Sequence, residues 1–444
     1  MSEENTNDSD NDIEYVCTMH YLTNLQLKEI NGLEPMTHLQ QLCLNKNRIT
    51  EIKGLDTLIN LEYLDLSQNR ITEIKGINKL IKLQYFNLCH NKVTQMKGLN
   101  TLLDLQYLNL SYNMIKEINS LELLSKLQKL YLTHNKLMEI KGLNTLTALK
   151  ELDLTSNTIT VMKELDRLTN LTSLDLTNNK ITEIKGLDTL TQLHDLQLEA
   201  NVIDEIKGLN SLIHLQELNL GCNKITDIKG LDSLVHLLFL DLETNKISEI
   251  KNGLKSLTKL ELLKLGQNNI IEITGLENLT QLQELCLYTN NITYLNGLKH
   301  LTNLQELFLY NNKIHNICEL ASLVNLESLS LENNKITDIK GIETLTLLQD
   351  LSIYSNEISN MEEISSLTCL KILDVRFNKI QEIPISITNC INLTELKLDI
   401  NNVRMDQIII TFLNMNKMKS YIKEHISDDE DDNFLHLCEK YTND

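Results

Sequence analysis

Basic residues are scarce in this chain. Its 41 Lys and Arg stand against 61 Asp and Glu, a net charge of −20 over 444 residues, which argues against a nucleic-acid binder relying on phosphate contacts. No apolar run reaches the length of roughly 18 residues that a membrane-spanning helix needs, so none is expected. The start, Met1 to Asp12, is acidic and polar, unlike a secretory signal. Nine cysteines, an odd number, are scattered without a cluster at either end, which favours a reducing compartment and hence a cytoplasmic or nuclear location. There is no P-loop, H-E-x-x-H, nucleophile elbow or Cys pair at metal spacing. No catalytic activity, cofactor or metal is therefore expected.

What the chain has in abundance is a period. An asparagine returns at a fixed interval from Asn47, Asn69 and Asn91 to Asn245, slips by one, resumes from Asn268 to Asn378, and slips again to Asn401. Around it runs L-x-x-L-x-L-x-x-N-x-I-x-x-I-x-G-L-x-x-L, clean at Leu39, Leu42, Leu44, Asn47, Ile49, Ile52, Gly54, Leu55 and Leu58. A fixed period of this length means one supersecondary unit per repeat, each burying its neighbour's apolar side. Leu42 and Leu44 alternate with polar residues, as in a short half-buried strand. The inward Asn can satisfy backbone groups at the bend with its two amide hydrogens and its oxygen. Gly54, Gly76 and Gly98 mark a corner with no room for a side chain. So short a repeat leaves space for 3₁₀ turns rather than α-helices on the outer side.

The expected architecture is an α/β solenoid: an arc of about 18 repeats over residues 20–404, with a parallel concave sheet and a 3₁₀ or irregular convex side. An acidic segment precedes it at 1–19, with six acids and no Lys or Arg. A helical cap with an acidic tail, covering the open end of the core, is expected over 405–444. The extra residue near Lys251-Asn252-Gly253 should make a local bulge. Ser427, before Asp428-Asp429-Glu430, suits an acidophilic kinase or a capping box, against the plainer reading of a solvated acidic tail.

The outward strand positions, equivalent to 41, 43, 45 and 46 in the frame, hold 11 of the 13 Tyr and 6 Phe residues taken together, with 16 acids and five Lys or Arg. Strand propensity explains part of the aromatic enrichment, but it does not explain why the acids collect there. Tyr63, Tyr85 and Tyr107 share one position and should form a stacked ladder. An acidic stretch follows from Glu151 and Asp153 through Asp175, Asp195, Glu199 and Glu217 to Asp241 and Glu243, and then a second aromatic group at Tyr288, Phe308 and Tyr310. Such a face suits a protein partner with a basic patch flanked by apolar anchors. The column of lysines at Lys53, Lys75 and their equivalents, interleaved with Glu51 and Glu73, reads as a solvated flank, and His214 and His236 should lie near each other on the surface.

The frame as it stands in Asn179-Lys-Ile-Thr-Glu-Ile-Lys-Gly-Leu187 resembles the short leucine-rich repeats of the leucine-rich regulatory subunit of protein phosphatase 1. That resemblance implies a monomeric scaffold that binds the phosphatase catalytic subunit through aromatic and acidic side chains of the concave face. Residues of matching type and place are Tyr107, Tyr131, Asp153, Asp175, Glu199, Phe239, Glu243, Glu306, Phe308 and Tyr310. Tyr63, Tyr85, Asp241 and Tyr288 join them from the composition of the face. The regulators close with Asn-Pro followed by Tyr-Arg, where this chain reads Asn401-Asn-Val-Arg404. The same subfamily includes acidic nuclear phosphoproteins, which would imply a histone-binding chaperone, and bacterial internalins, which would imply surface adhesion.

Overall fold

A computed structural model describes residues 18–251, 253–399, 401 and 403. The N-terminal segment up to residue 17, Asn252 and the helical cap expected over 405–444 lie outside the described residues. The chain divides into two compact units, residues 1–159 with 163–171 and residues 160–162 with 172–444. Each is a parallel β-solenoid. In the first, strands run from Met19–Tyr21 and Gln41–Cys43 through Tyr63–Asp65, Tyr85–Asn87, Tyr107–Asn109 and Lys129–Tyr131 to Glu151–Asp153. In the second they run from Ser173–Asp175 to Glu395–Lys397.

Each strand is short because the repeat alternates over only three positions: a buried Leu stands between two less buried side chains, as at Leu42 and Leu196. Neighbouring strands pair one repeat apart, Tyr63 with Tyr85 and Glu217 with Asp195. Where the period slips the sheet absorbs it without losing register, since Phe239 pairs with Leu262 and Ile372 with Glu395. The extra residues are therefore accommodated outside the strands. Apolar columns at the Leu39, Leu42, Leu44, Ile49, Ile52, Leu55 and Leu58 positions are closed to solvent. At about 1.5–3 kcal/mol per fully buried aliphatic side chain, they supply the main driving force for stacking.

The asparagine sits where strand becomes corner. The side-chain oxygen of Asn201 accepts the backbone N–H of Ile181 in the preceding turn at 2.9 Å. Its amide donates to the carbonyls of Leu176 and Leu198, each at 3.0 Å. The carbonyl of Leu198 also accepts from Asn223 at 3.0 Å, so amides and carbonyls alternate from turn to turn. The residue before each Asn is left-handed, for example Gln68 at φ 55°, Tyr112 at 55° and Thr244 at 53°. None of these is glycine, and such a conformation costs an L-residue about 1–2 kcal/mol. The sequence reading placed this column in the strand; it is the strained corner after it.

The Gly corner is required by contact as well as by conformation. Gly76 has φ 73°, and a Cβ there would lie 2.2 Å from the carbonyl oxygen of Ile52 in the turn before. Ser120 and Glu164 adopt the same left-handed state where glycine is missing. The α part of the expected α/β label has no counterpart among the described residues. On the side away from the sheet, i→i+3 bonds such as Leu58 N–H to Leu55 O tighten the chain. Defined 3₁₀ helices occur at Cys318–Ser322, Ile342–Thr344, Glu362–Ser366 and Ile385–Asn389. A turn this short leaves too little chain between the Asn and the next strand for a full α-helix. We expect Asn201→Ala to orphan the Ile181 N–H and weaken two carbonyl contacts, lowering stability by about 3 kcal/mol, read as a lower urea midpoint.

Candidate protein-binding face

Side chains at the first and third strand positions, and two residues after the strand, share the solvent-facing side of the sheet. Tyr63, Tyr85, Tyr107, Phe239 and Glu306 occupy the first position, and Tyr131, Asp153, Asp175, Asp241 and Phe308 the third. Glu199, Glu243, Tyr288 and Tyr310 follow two residues later. All fourteen are half-buried or exposed except Asp241, which is only 8% exposed.

In the first unit the expected ladder forms. Tyr63 and Tyr85 stack at 4.1 Å with 8° between planes, Tyr85 and Tyr107 at 4.2 Å with 12°, and Tyr131 tilts against Tyr107 at 5.3 Å. Parallel strands about 4.8 Å apart hold identical residues at ring-stacking distance. Burial and neighbouring hydroxyls push the Tyr85 phenol far above its ordinary value. A second stack, absent from the sequence reading, runs along the left-handed corners: His90, Tyr112 and His134 lie 4.0 and 4.4 Å apart. The signal was in the sequence, since the three share one frame position in consecutive repeats.

The acids are not equivalent. Oδ1 of Asp153, Asp175 and Asp241 accepts the backbone N–H two residues ahead, on Thr155, Thr177 and Glu243, at 2.8–2.9 Å. Asp65, and the asparagines at 87, 109 and 219, do the same. This column therefore terminates strands, and its acids are first of all structural. Asp153, Asp175 and Asp241, expected to meet a partner, thus have a backbone duty as well: a short Asx side chain is the one that can close this turn. Glu199 and Glu243 carry no such backbone duty.

Cations flank the acidic stretch from Glu151 to Glu243 and recur beyond it. Lys129 meets Glu151 at 2.7 Å, and Tyr131 donates to the same carboxylate at 2.6 Å. In the second unit Lys264 lies 3.8 Å from Asp241 and 5.4 Å from the centroid of the Phe239 ring. Arg376 grips Asp374 at 2.6 Å beside the Tyr354 ring, 5.5 Å away. Tyr288 stacks on Tyr310 at 4.6 Å, and burial, with Glu243 two turns back, raises its phenol far above the ordinary value. The intervening residue is Gly266, where an added Cβ would stand 2.6 Å from the Tyr288 ring. Without a side chain there, the tyrosine reaches across. Burial holds Asp241, Glu243, Glu306 and Glu332 above the usual carboxylate range.

The flanks match expectation. Lys75 lies between Glu51 at 4.0 Å and Glu73 at 3.3 Å, and Lys207 between Glu183 and Glu205 at 3.2 and 3.1 Å. These pairs are solvated and contribute little. His214 and His236 lie 6.2 Å apart, but no group of three or more His, Cys, Asp and Glu among the described residues could hold a metal. No helix among them is long and apolar enough to cross a membrane.

A model described as "Leucine Rich repeats (2 copies)" matches residues 37–79, 59–101, 125–166, 169–212, 213–256, 280–322, 302–344 and 324–369, and one described as "Leucine rich repeat" matches 81–137. The chain belongs to the leucine-rich repeat family. Such a solenoid is a typical scaffold for protein–protein interaction. Among solved structures, a leucine-rich repeat protein of Leptospira interrogans is 27% identical, with 90% of this chain and 94% of that one covered and a TM-score of 0.65. An internalin (InlF) of Listeria monocytogenes is 28% identical over 76% and 87%, with a TM-score of 0.52. The functional domain of InlJ from the same organism, which includes a cysteine ladder, is 25% identical over 83% and 78%, with a TM-score of 0.61. No curated protein matches the sequence. The described cysteines of this leucine-rich repeat protein are free and form no comparable ladder.

Gly266→Ala should lift the Tyr288 ring and turn its hydroxyl away from Glu243, so that Tyr288 is nitrated several-fold faster by tetranitromethane. Unchanged nitration, read by mass spectrometry, would show that the glycine does not set this geometry.

Proposed function

We propose that this leucine-rich repeat protein is a non-catalytic interaction scaffold, acting in the cytoplasm or nucleus, that binds a protein partner across the exposed face of its sheet. The observation that carries the reading is the concentration of rings and carboxylates on the sheet face of each unit. Aromatic side chains supply most of the energy in protein interfaces, and charge supplies steering and selection. The specific candidate is a catalytic subunit of the protein phosphatase 1 type, supported by the match of residue types at Tyr107, Tyr131, Asp153, Asp175, Glu199, Phe239, Glu243, Glu306, Phe308 and Tyr310 to the regulatory subunit that the repeat frame resembles. The face is too shallow and too open to tune a catalytic group, which supports a binding role.

A second reading, adhesion to a partner outside the cell, draws on the 28% and 25% identity to the two Listeria proteins. It uses the same face and differs in where the partner resides. Cell fractionation separates the two, because recovery of the native protein with the surface fraction would favour adhesion.

The purified full chain should capture a phosphatase catalytic subunit from lysate. Joint replacement of Tyr85, Tyr107, Glu199 and Glu243 by Ala should abolish capture while unfolding stays cooperative. Capture of the phosphatase by both proteins, or by neither, contradicts the specific assignment. Binding should also depend on pH. The ionised acids attract a basic partner, and Glu243 and Glu306 protonate at higher pH than ordinary carboxylates. Affinity should thus fall on acidification, starting above the pH at which an ordinary carboxylate protonates. The same two groups favour the folded state when protonated, so mild acid does not unfold the chain through them. Affinity that stays level down through about pH 4, where even ordinary carboxylates protonate, would exclude the acids from the interface.

A further inference from the structure

The sheet face of the second unit shows how it holds a cation, because it holds two of its own. Lys264 rests against one ring and one carboxylate, Phe239 and Asp241, both from the preceding strand. Arg376 also rests against a ring and a carboxylate, Tyr354 from the preceding repeat and Asp374 two residues before it in its own, with the guanidinium on both carboxylate oxygens. In each case a ring and a carboxylate take one cationic side chain between them.

Glu243 and Tyr288 repeat this pairing with no cation paired to them, Lys264 acting on Glu243 only from its place beside Asp241. The Tyr288 ring lies over Gly266, the residue between it and Glu243 in their column, and among the described residues no Lys or Arg forms an ion pair with Glu243 or Glu199. Gly221 places no side chain between Glu199 and Glu243 in their column. The negative charges here act on one another: Glu199 raises Asp241, and both of them raise Glu243. Lys264 is committed to Asp241 and answers only part of that charge. A like-charged group beside an unfilled ring–carboxylate pair is complementary to a cation brought from outside.

We propose that this part of the face takes a cationic side chain, arginine or lysine, from an exposed basic segment of the partner, seated at Glu243 and Tyr288 and shared with Glu199. The inference rests on the reading that the sheet face binds a protein. A planar guanidinium can lie along the Tyr288–Tyr310 stack while forking onto Glu243, so arginine is the better fit.

The probe is a fluorescein-labelled Gly-Arg-Gly-Arg-Gly peptide, with its lysine and citrulline counterparts, titrated with the full chain at low ionic strength and followed by anisotropy. The arginine peptide should bind tightest. Citrulline, which keeps the shape and loses the charge, should bind at least about tenfold more weakly. Glu243→Gln and Tyr288→Leu should each weaken the arginine peptide at least about fivefold, whereas Glu205→Gln on the solvated flank should leave it within about twofold. Glu243→Gln removes a repelling charge and leaves folding intact, so it decides the question if Tyr288→Leu fails to fold. Equal binding of the citrulline peptide, equal affinity in Glu243→Gln and Glu205→Gln, or no binding at all would overturn the proposal. The parent reading fails separately: capture of the protein partner that survives Glu243→Gln but not the fourfold Ala variant removes only the cation seat.

Discussion

A buried amide at the end of each strand is the constraint on which the rest depends. Once the chain leaves the sheet ladder, its peptide groups have no strand to pair with and no water to reach. The repeated Asn supplies both donors and an acceptor at that point, tying the carbonyls of one turn to those of the next. It also fixes a left-handed corner in residues as ill suited to it as Thr244 and Thr289. Strain spent at every corner is tolerable because the network is continuous, with each bond polarising the next.

Fixed corners give fixed register, and register gives the face its chemistry. With strands held one repeat apart, slips included, any residue type repeated in the frame becomes a column in space. Repeated tyrosines become a stack and a missing side chain becomes a gap that a neighbour crosses, as Tyr288 crosses Gly266. Three separate columns thus divide the work: aromatic rings and glutamates open to solvent, Asp and Asn closing the strand, and corner residues that combine strain with exposure.

Much of this was legible in the sequence because a repeat reads the same rule many times over. The solenoid, the inward Asn, the glycine corner and the tyrosine ladder all follow from spacing alone. What could not be read was the division of labour among acids. Asp153, Asp175 and Asp241 look like Glu199 and Glu243 in a charge count, yet only the position at the strand end lets a side chain close an Asx turn. The His90–Tyr112–His134 stack and the roles of Lys264 and Arg376 were also missed, since each depends on where a side chain leans once the chain has folded. The expected α/β label failed on length, the outer segment being too short for an α-helix.

The claim that the sheet face grips a protein is tested most directly by hydroxyl-radical footprinting of the full chain, alone and bound to the partner it captures. Tyr294 lies off the face and is 66% exposed, which makes it an internal control. The account predicts that Tyr85, Tyr107, Phe239 and Tyr288 lose reactivity on binding while Tyr294 does not. Protection of Tyr294, with the four face rings as reactive as before, would contradict it.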